Sequence, residues 1–189
     1  MRRSISCSWL ISLALLPTAT VGAQSYLKVN VASALVGIPG VGVERTIGDR
    51  WTFQVDATAS PWRSVNGVPL QFLIVIPEWR FHPQGVARGW YVGAHAGASA
   101  FRLQKWDYWG TTRYEKGYSL FLGATFGYQR PLSDRWLVDA FVGGGSSQAI
   151  YKGYDWTTGA RYDGAAAWNK SGEWLPYRGG VMLSRRLGR

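Results

Sequence analysis

Lys28, Asn30, Glu44, Asp56, Glu78, Arg80, His95, Asp139, Arg178 and Arg186 are the residues on which any chemistry of this chain would have to rest. Each lies in a segment where polar and apolar residues alternate, and each takes the polar parity. Carboxylates in such a set can serve as general acid and base, a file of charges can line a narrow ion path, and His95 with Ser99 offers a proton relay. Geometry weighs against the relay. Four residues along a strand span some 13 Å at a rise of ~3.3 Å per residue, which is too far for direct proton transfer. Acids and bases are nearly balanced in the set, so mutual neutralisation is the expected role. Lys28, Glu44, Asp56, Glu78, Arg80, Asp139 and Arg178 are read as a structural ion-pair network, with at least one acid on Arg80 or Arg178.

Other reactive constellations are missing from the sequence. It contains no Gly-x-Ser-x-Gly elbow and no Gly-Lys-Ser or Gly-Lys-Thr phosphate loop. Its two histidines, His82 and His95, cannot make a three-His metal site, and the lone Cys7 can form neither an intrachain disulfide nor a thiolate cluster. No catalytic residue, metal or cofactor is therefore expected. The net charge of +10 raises the question of nucleic acid, but the bases are scattered and no basic helix or stacking motif gathers them, so no nucleic-acid partner is expected. Arg50, Arg88, Arg135, Arg185 and Arg186 suit lipid phosphates or anionic polymers in a general way.

The elements that position these residues are strands. In Trp51 to Ser60, Trp51, Phe53, Val55, Ala57 and Ala59 share one face, while Thr52, Gln54, Asp56, Thr58 and Ser60 share the other. The same period recurs in Leu27 to Leu35, Val41 to Ile47, Leu70 to Phe81, Trp90 to Phe101, Tyr118 to Tyr128, Trp136 to Ile150 and Trp174 to Leu187. With 24 Gly and 11 Trp in 189 residues and only 17% charged, the composition also favours strands and turns over long helices. Eight strands follow, most near the ~9–11 residues that cross a bilayer when tilted. The expected fold is all-β: an eight-stranded, antiparallel, up-and-down transmembrane β-barrel occupying 24–189.

Residues 1–23 have the layout of a secretory signal peptide: Arg2 and Arg3, an apolar run from Trp9 to Leu16, then Val21-Gly22-Ala23. The run is too short to span a bilayer, and Pro17 closes it. Cleavage before Gln24 removes two arginines and takes the charge from +10 to about +8. Localisation in the outer membrane is expected.

Tryptophan placement separates a membrane barrel from a soluble one. Trp51, Trp90 and Trp136 each open a strand after a short turn and Trp79 precedes one, all with the apolar parity, as an interfacial aromatic girdle requires. A soluble lipocalin-type lipid binder would invert the pattern, enclosing the apolar face. The lumen of eight strands is narrow enough to be filled by side chains. Inward Gly93, Gly97, Gly123, Gly127, Gly143 and Gly145 make room for the arginines and for Tyr91, Phe101, Phe121 and Phe141. Tight connections at 48–50 and 133–135, and a longer one at 83–89, belong to one end. The long segments 105–117 and 153–173 belong to the other and bear Trp106, Tyr108, Trp109, Tyr114, Tyr154, Trp156, Tyr162 and Trp168, aromatic residues suited to recognition.

Pro39-Gly-Val-Gly-Val-Glu44, Gly48-Asp-Arg-Trp51, Ser60-Pro-Trp62, Pro77-Glu-Trp-Arg-Phe81, Tyr91-Val-Gly-Ala-His95-Ala-Gly97, Gly127-Tyr-Gln129 with Arg135-Trp136, and Arg178-Gly-Gly180 follow one another in a set order. In that order the chain resembles small bacterial outer-membrane β-barrels catalogued as domain of unknown function 3575. The resemblance implies fold and location and no activity. The chain departs from outer-membrane barrels at Leu187-Gly188-Arg189, where a terminal aromatic is common. The functional expectation is a non-enzymatic barrel with a plugged polar lumen, a monomer among outer-membrane lipids and lipopolysaccharide, serving envelope integrity or surface recognition. The alternatives are a lipid-modifying acyl hydrolase or acyltransferase, and a narrow ion channel.

Overall fold

The computed structural model describes residues 24–64, 66–105, 108–162 and 168–188. Its strands are β1 (Ser25–Asn30), β2 (Gly40–Thr46), β3 (Trp51–Ser60), β4 (Leu70–Phe81), β5 (Gly89–Leu103), β6 (Arg113–Pro131), β7 (Trp136–Asp155) and β8 (Asn169–Leu187), with one short helix, α1 (Val31–Leu35), after β1. Each strand pairs antiparallel with the next. The β1–β8 pairing, from Ser25↔Leu187 to Asn30↔Met182, closes the sheet into a barrel. Closure leaves no strand edge with unpaired N–H and C=O groups, and the period-2 pattern turns the polar parity of each strand inward and the apolar parity outward.

Burial follows the alternation. In β2 Gly40, Gly42 and Glu44 are buried while Val41, Val43 and Arg45 are exposed, and β6 repeats the pattern from Gly117 to Tyr128. The inside therefore holds the charges together with a small apolar cluster of Tyr91, Phe141 and Met182.

Two expectations about the elements are corrected. Leu27 to Leu35 is not one strand, because the chain turns into α1 at Val31. The Asn30 side chain accepts the Ser33 N–H at 3.2 Å, an N-cap, and Val36 and Gly37 donate back to the carbonyls of Ser33 and Ala34. An asparagine able to cap, followed by alanines, outweighs an alternation that was weak there. The strands on the other side of the barrel are also longer than the alternation predicts. β6 starts at Arg113 opposite Asp155, β8 starts at Asn169, and the connecting segments shrink to 104–112 and 156–168. Gly117 and Gly153, read as loop glycines, lie in the ladder instead. A Cβ on Gly117 would sit 2.7 Å from the Tyr151 Cβ, and one on Gly153 would sit 2.4 Å from the Tyr162 ring. Gly117 lets β6 approach the Ile150 carbonyl, which would lie 2.2 Å from its Cβ, Gly153 clears the Tyr162 ring, and neither breaks its strand. Tyr114 and Tyr154, expected in loops, are thus cross-strand partners whose rings stack at 5.7 Å.

One irregularity matters for the interior. Between β7 and β8 the register shifts by one residue: Gly143 faces Arg178 but Gly145 faces Leu175. The extra residue is on β8 beside Pro176, a residue that cannot donate to a ladder and is at home in a bulge.

Candidate functional site

The interior is one connected polar network to which all eight strands contribute. At its centre Arg80 of β4, fully buried, donates to Glu78 at 2.9 Å and to Asp139 at 2.8 Å, and its Nη1 lies 3.4 Å from Glu44. Its guanidinium lies over the Tyr91 ring at 4.5 Å, and the Tyr91 hydroxyl donates to Asp139 at 2.9 Å. Lys28 of β1 donates to Glu44 at 2.7 Å, to Gln54 at 2.8 Å and to Asp139. Arg178 of β8 reaches across to Asp56 at 2.6 Å and to Glu78 at 2.9 Å. Glu78 Oε2 therefore joins the Arg80 and Arg178 halves.

Three bases face four acids here, so neutral donors have to quench the remaining carboxylate oxygens. Gln129 donates to Glu44 at 3.1 Å, Thr52 to Glu44 at 2.6 Å and Gln54 to Asp56 at 2.8 Å. A buried ion pair offsets its desolvation only when such further hydrogen bonds satisfy the remaining lone pairs. Room for the long side chains comes from glycine. A Cβ on Gly93 would lie 2.1 Å from Glu78 Oε1, and one on Gly127 would lie 2.5 Å from the Tyr91 ring.

His95 does not pair with Ser99. Its Nδ1 is 3.0 Å from the Thr125 hydroxyl and its Nε2 is 2.6 Å from the Tyr177 hydroxyl, which ties β5 to β6 and β8 across the lumen. The two remaining lumen candidates have other roles. Asn30 caps α1 and donates to the Gly179 carbonyl at 3.3 Å, and Arg186 is half-buried at the barrel's rim. Among the described residues no group of three His, Cys, Asp or Glu side chains is placed to hold a metal ion.

The sequence matches, over residues 8–176, the family described as Protein of unknown function (DUF3575). The chain belongs to this family. The matched span ends just short of Arg178-Gly-Gly180, so that part of the resemblance lies beyond it. No curated protein and no solved structure matches the chain.

Outside the barrel, Trp51, Trp79, Trp90 and Trp136 are all exposed near the end with the short turns. They gather aromatic neighbours: Trp51 with Phe81 at 4.9 Å, Trp79 with Phe53 at 4.5 Å, and Trp90 stacked on Phe126 at 5.0 Å, while Arg185 lies 6.0 Å from the Trp136 ring. At the opposite end Trp109 is 78% exposed, Trp156 and Trp168 are also exposed, and Tyr108 is half-buried against Tyr162. Trp106 and the segment 1–23 lie outside the described residues.

Several members of the network escape a reading by parity and charge. Gln54, Gln129, Thr52 and Tyr91 have the inward parity, but as neutral residues they carry no charge to mark them as partners. Tyr177 has the wrong parity altogether, since its neighbour Arg178 also points inward; the bulge beside Pro176 permits both.

Proposed function

We propose that the protein is an outer-membrane β-barrel without enzymatic activity, exported by the signal at 1–23. On this reading its lumen is plugged by the ion-pair network, and it serves envelope integrity or surface recognition through the aromatic residues of its long loops. The observation that carries the reading is the inverted distribution of polarity. Lys28, Glu44, Glu78, Arg80 and Asp139 are buried inside, while Trp79 is 55%, Leu120 66% and Leu122 68% exposed outside. A water-soluble barrel rarely exposes so continuous an apolar surface, whereas a lipid-facing one requires it. The outward residues of β6 from Tyr118 to Tyr128 give a belt about 25 Å tall at the usual rise and tilt, the height of a bilayer-facing band.

The test is fractionation combined with gel mobility. The mature protein should stay with the outer membrane through a salt wash, and should run faster unboiled than boiled because a closed barrel has no edge from which to unravel. Recovery in the soluble phase would overturn the membrane assignment. Trimming 104–112 and 156–168 should alter adhesion or envelope integrity, and unchanged values in both would remove the recognition role.

A further inference from the structure

The outer face carries a row of charges that the lumen network does not explain. Arg102 of β5 pairs in register with Lys116 of β6, and Lys116 with Lys152 of β7. All three have outward parity, two residues beyond the belt positions Ala100, Tyr118 and Ile150 at the long-loop end. Like charges directly opposite one another on neighbouring strands are destabilising unless something neutralises them. Nothing in the described chain does so. The acids of β6 and β7 are committed elsewhere: Glu115 to Lys105 at 3.2 Å, Asp139 to the lumen, and Asp155 to the hydroxyls of Thr112 and Thr157. Among the described residues, Arg102, Lys116 and Lys152 form no ion pair. Arg102 has the Tyr114 side chain, its hydroxyl at 3.5 Å and its ring at 5.6 Å, and Lys152 has the Trp168 ring at 4.4 Å.

The row is also the wall of a cleft. A cavity of about 530 Å³ at the long-loop end is lined on its outer side by Arg102, Lys116, Lys152 and Trp168, and reaches inward to Ser60 and Phe101. Below it, Ala100, Ala98 and Ala96 of β5 are exposed between Leu73 and Val75 on β4 and Tyr118, Leu120 and Leu122 on β6. Small residues between bulky ones leave a shallow apolar channel that descends from the cationic row along the belt.

We infer that Arg102, Lys116 and Lys152 form a binding site for the phosphates of a phosphorylated lipid in the surrounding leaflet, with an acyl chain lying along the alanines of β5. The inference rests on the membrane reading above. Charge complementarity selects a phosphate, and the apolar channel running from the same row selects a lipid as its bearer. Stacked Tyr114 and Tyr154 roof the site on the loop side, and Trp168 closes the row at β8.

The test presents bisphosphorylated lipid A, its dephosphorylated form and inorganic phosphate to the mature protein in neutral detergent, with retention read by native mass spectrometry. The bisphosphorylated lipid should be retained at least tenfold more tightly than the dephosphorylated one. In the triple variant Arg102→Gln/Lys116→Gln/Lys152→Gln its affinity should fall by roughly ten- to a hundredfold, as expected for three bases at a lipid surface. Arg45→Gln/Arg130→Gln, at the short-turn end, should leave it unchanged. The triple variant should melt no lower than the wild type in neutral detergent, because it relieves facing like charges. The single reversal Lys116→Glu serves as a second variant whose folding is checked by gel shift. Equal retention of both lipid forms, unchanged binding by the folded variants, or displacement by inorganic phosphate at the lipid's own concentration would overturn the site. Wild-type protein that fractionates with the membrane while the variants bind normally refutes this site alone. Recovery of the wild type as a soluble protein refutes the membrane reading itself.

Discussion

Arg80→Ala should be among the most destabilising single changes in the chain. Arg80 is fully buried and touches three carboxylates, Glu78 at 2.9 Å, Asp139 at 2.8 Å and Glu44 at 3.4 Å. Without it, Lys28 still holds Glu44 and Asp139, and Arg178 still reaches Glu78 while also serving Asp56. Two bases would then face four acids in a lumen whose packed side chains leave little room for water. Stranding a buried charge costs roughly 3–5 kcal/mol. Against a total stability of about 5–15 kcal/mol, that is a fifth or more of what holds the barrel folded. Arg80→Met separates charge from packing: it keeps an unbranched apolar stem, loses the guanidinium that lies over Tyr91, and should still lose most of the stability. The double variant Arg80→Met/Glu78→Gln should be less destabilised than the sum of its single changes, since the second change removes an acid that the first leaves unpaired. Urea unfolding in detergent, followed by tryptophan fluorescence and by gel mobility, measures all of these. Trp109→Ala, in an exposed loop, and Arg50→Ala, at an exposed turn, should stay within about 0.5 kcal/mol of wild type. If Arg80→Ala shifts the midpoint no more than these two, the network is not what stabilises the interior.

Three other outcomes follow from the same geometry. In planar bilayers the wild-type protein should give only small currents, because the network occludes the lumen; a large, steady single-channel current would instead favour the ion-channel alternative. Gly127→Val should cost about 1–3 kcal/mol by overpacking, since even a Cβ there lies 2.5 Å from the Tyr91 ring, and thermal unfolding in detergent would reveal it. Asp155 is held well below the usual carboxylate range by hydrogen bonds from the Thr112 and Thr157 hydroxyls and from the Thr158 and Thr157 N–H groups. A depressed carboxyl contributes order above its unfolded value near 4 and loses that contribution as the pH falls through its folded value. The Thr157 and Thr158 amides should therefore be better protected from hydrogen exchange in wild type than in Asp155→Asn at about pH 6. That difference should disappear well below pH 4, and a difference that persists there would refute the assignment.

What the sequence makes legible here, and what it hides, follows from how a barrel is specified. A strand with one face inside and one outside repeats its polarity every second residue, so charge and parity together place Lys28, Glu44, Asp56, Glu78, Arg80, Asp139 and Arg178 on the inward side. Parity cannot supply the identity of neutral partners. Thr52, Gln54 and Gln129 alternate as correctly as any surface polar residue, and only the register that sets Gln129 against Asp139 makes one a donor. Local hydrogen bonding can also override the period, as Asn30 does when it caps α1 and ends β1 five residues before the alternating pattern predicts. The deepest gap is at Tyr177. Alternation carries an assignment along a strand only while the register holds, and one inserted residue inverts every assignment beyond it. Pro176 lies at that insertion but does not announce it, because Pro77 sits in the middle of β4 with its register against Val55 unbroken, so a proline inside a strand is compatible with a bulge without requiring one. With the bulge in place Tyr177 and Arg178 both face inward, and the Tyr177 hydroxyl meets His95 at 2.6 Å. Which of two strand prolines accompanies a bulge, and therefore which side chains beyond it face the lumen, is set by the register of the neighbouring strand: β3 runs past Pro77 unshifted, whereas β7 slips by one residue at Pro176.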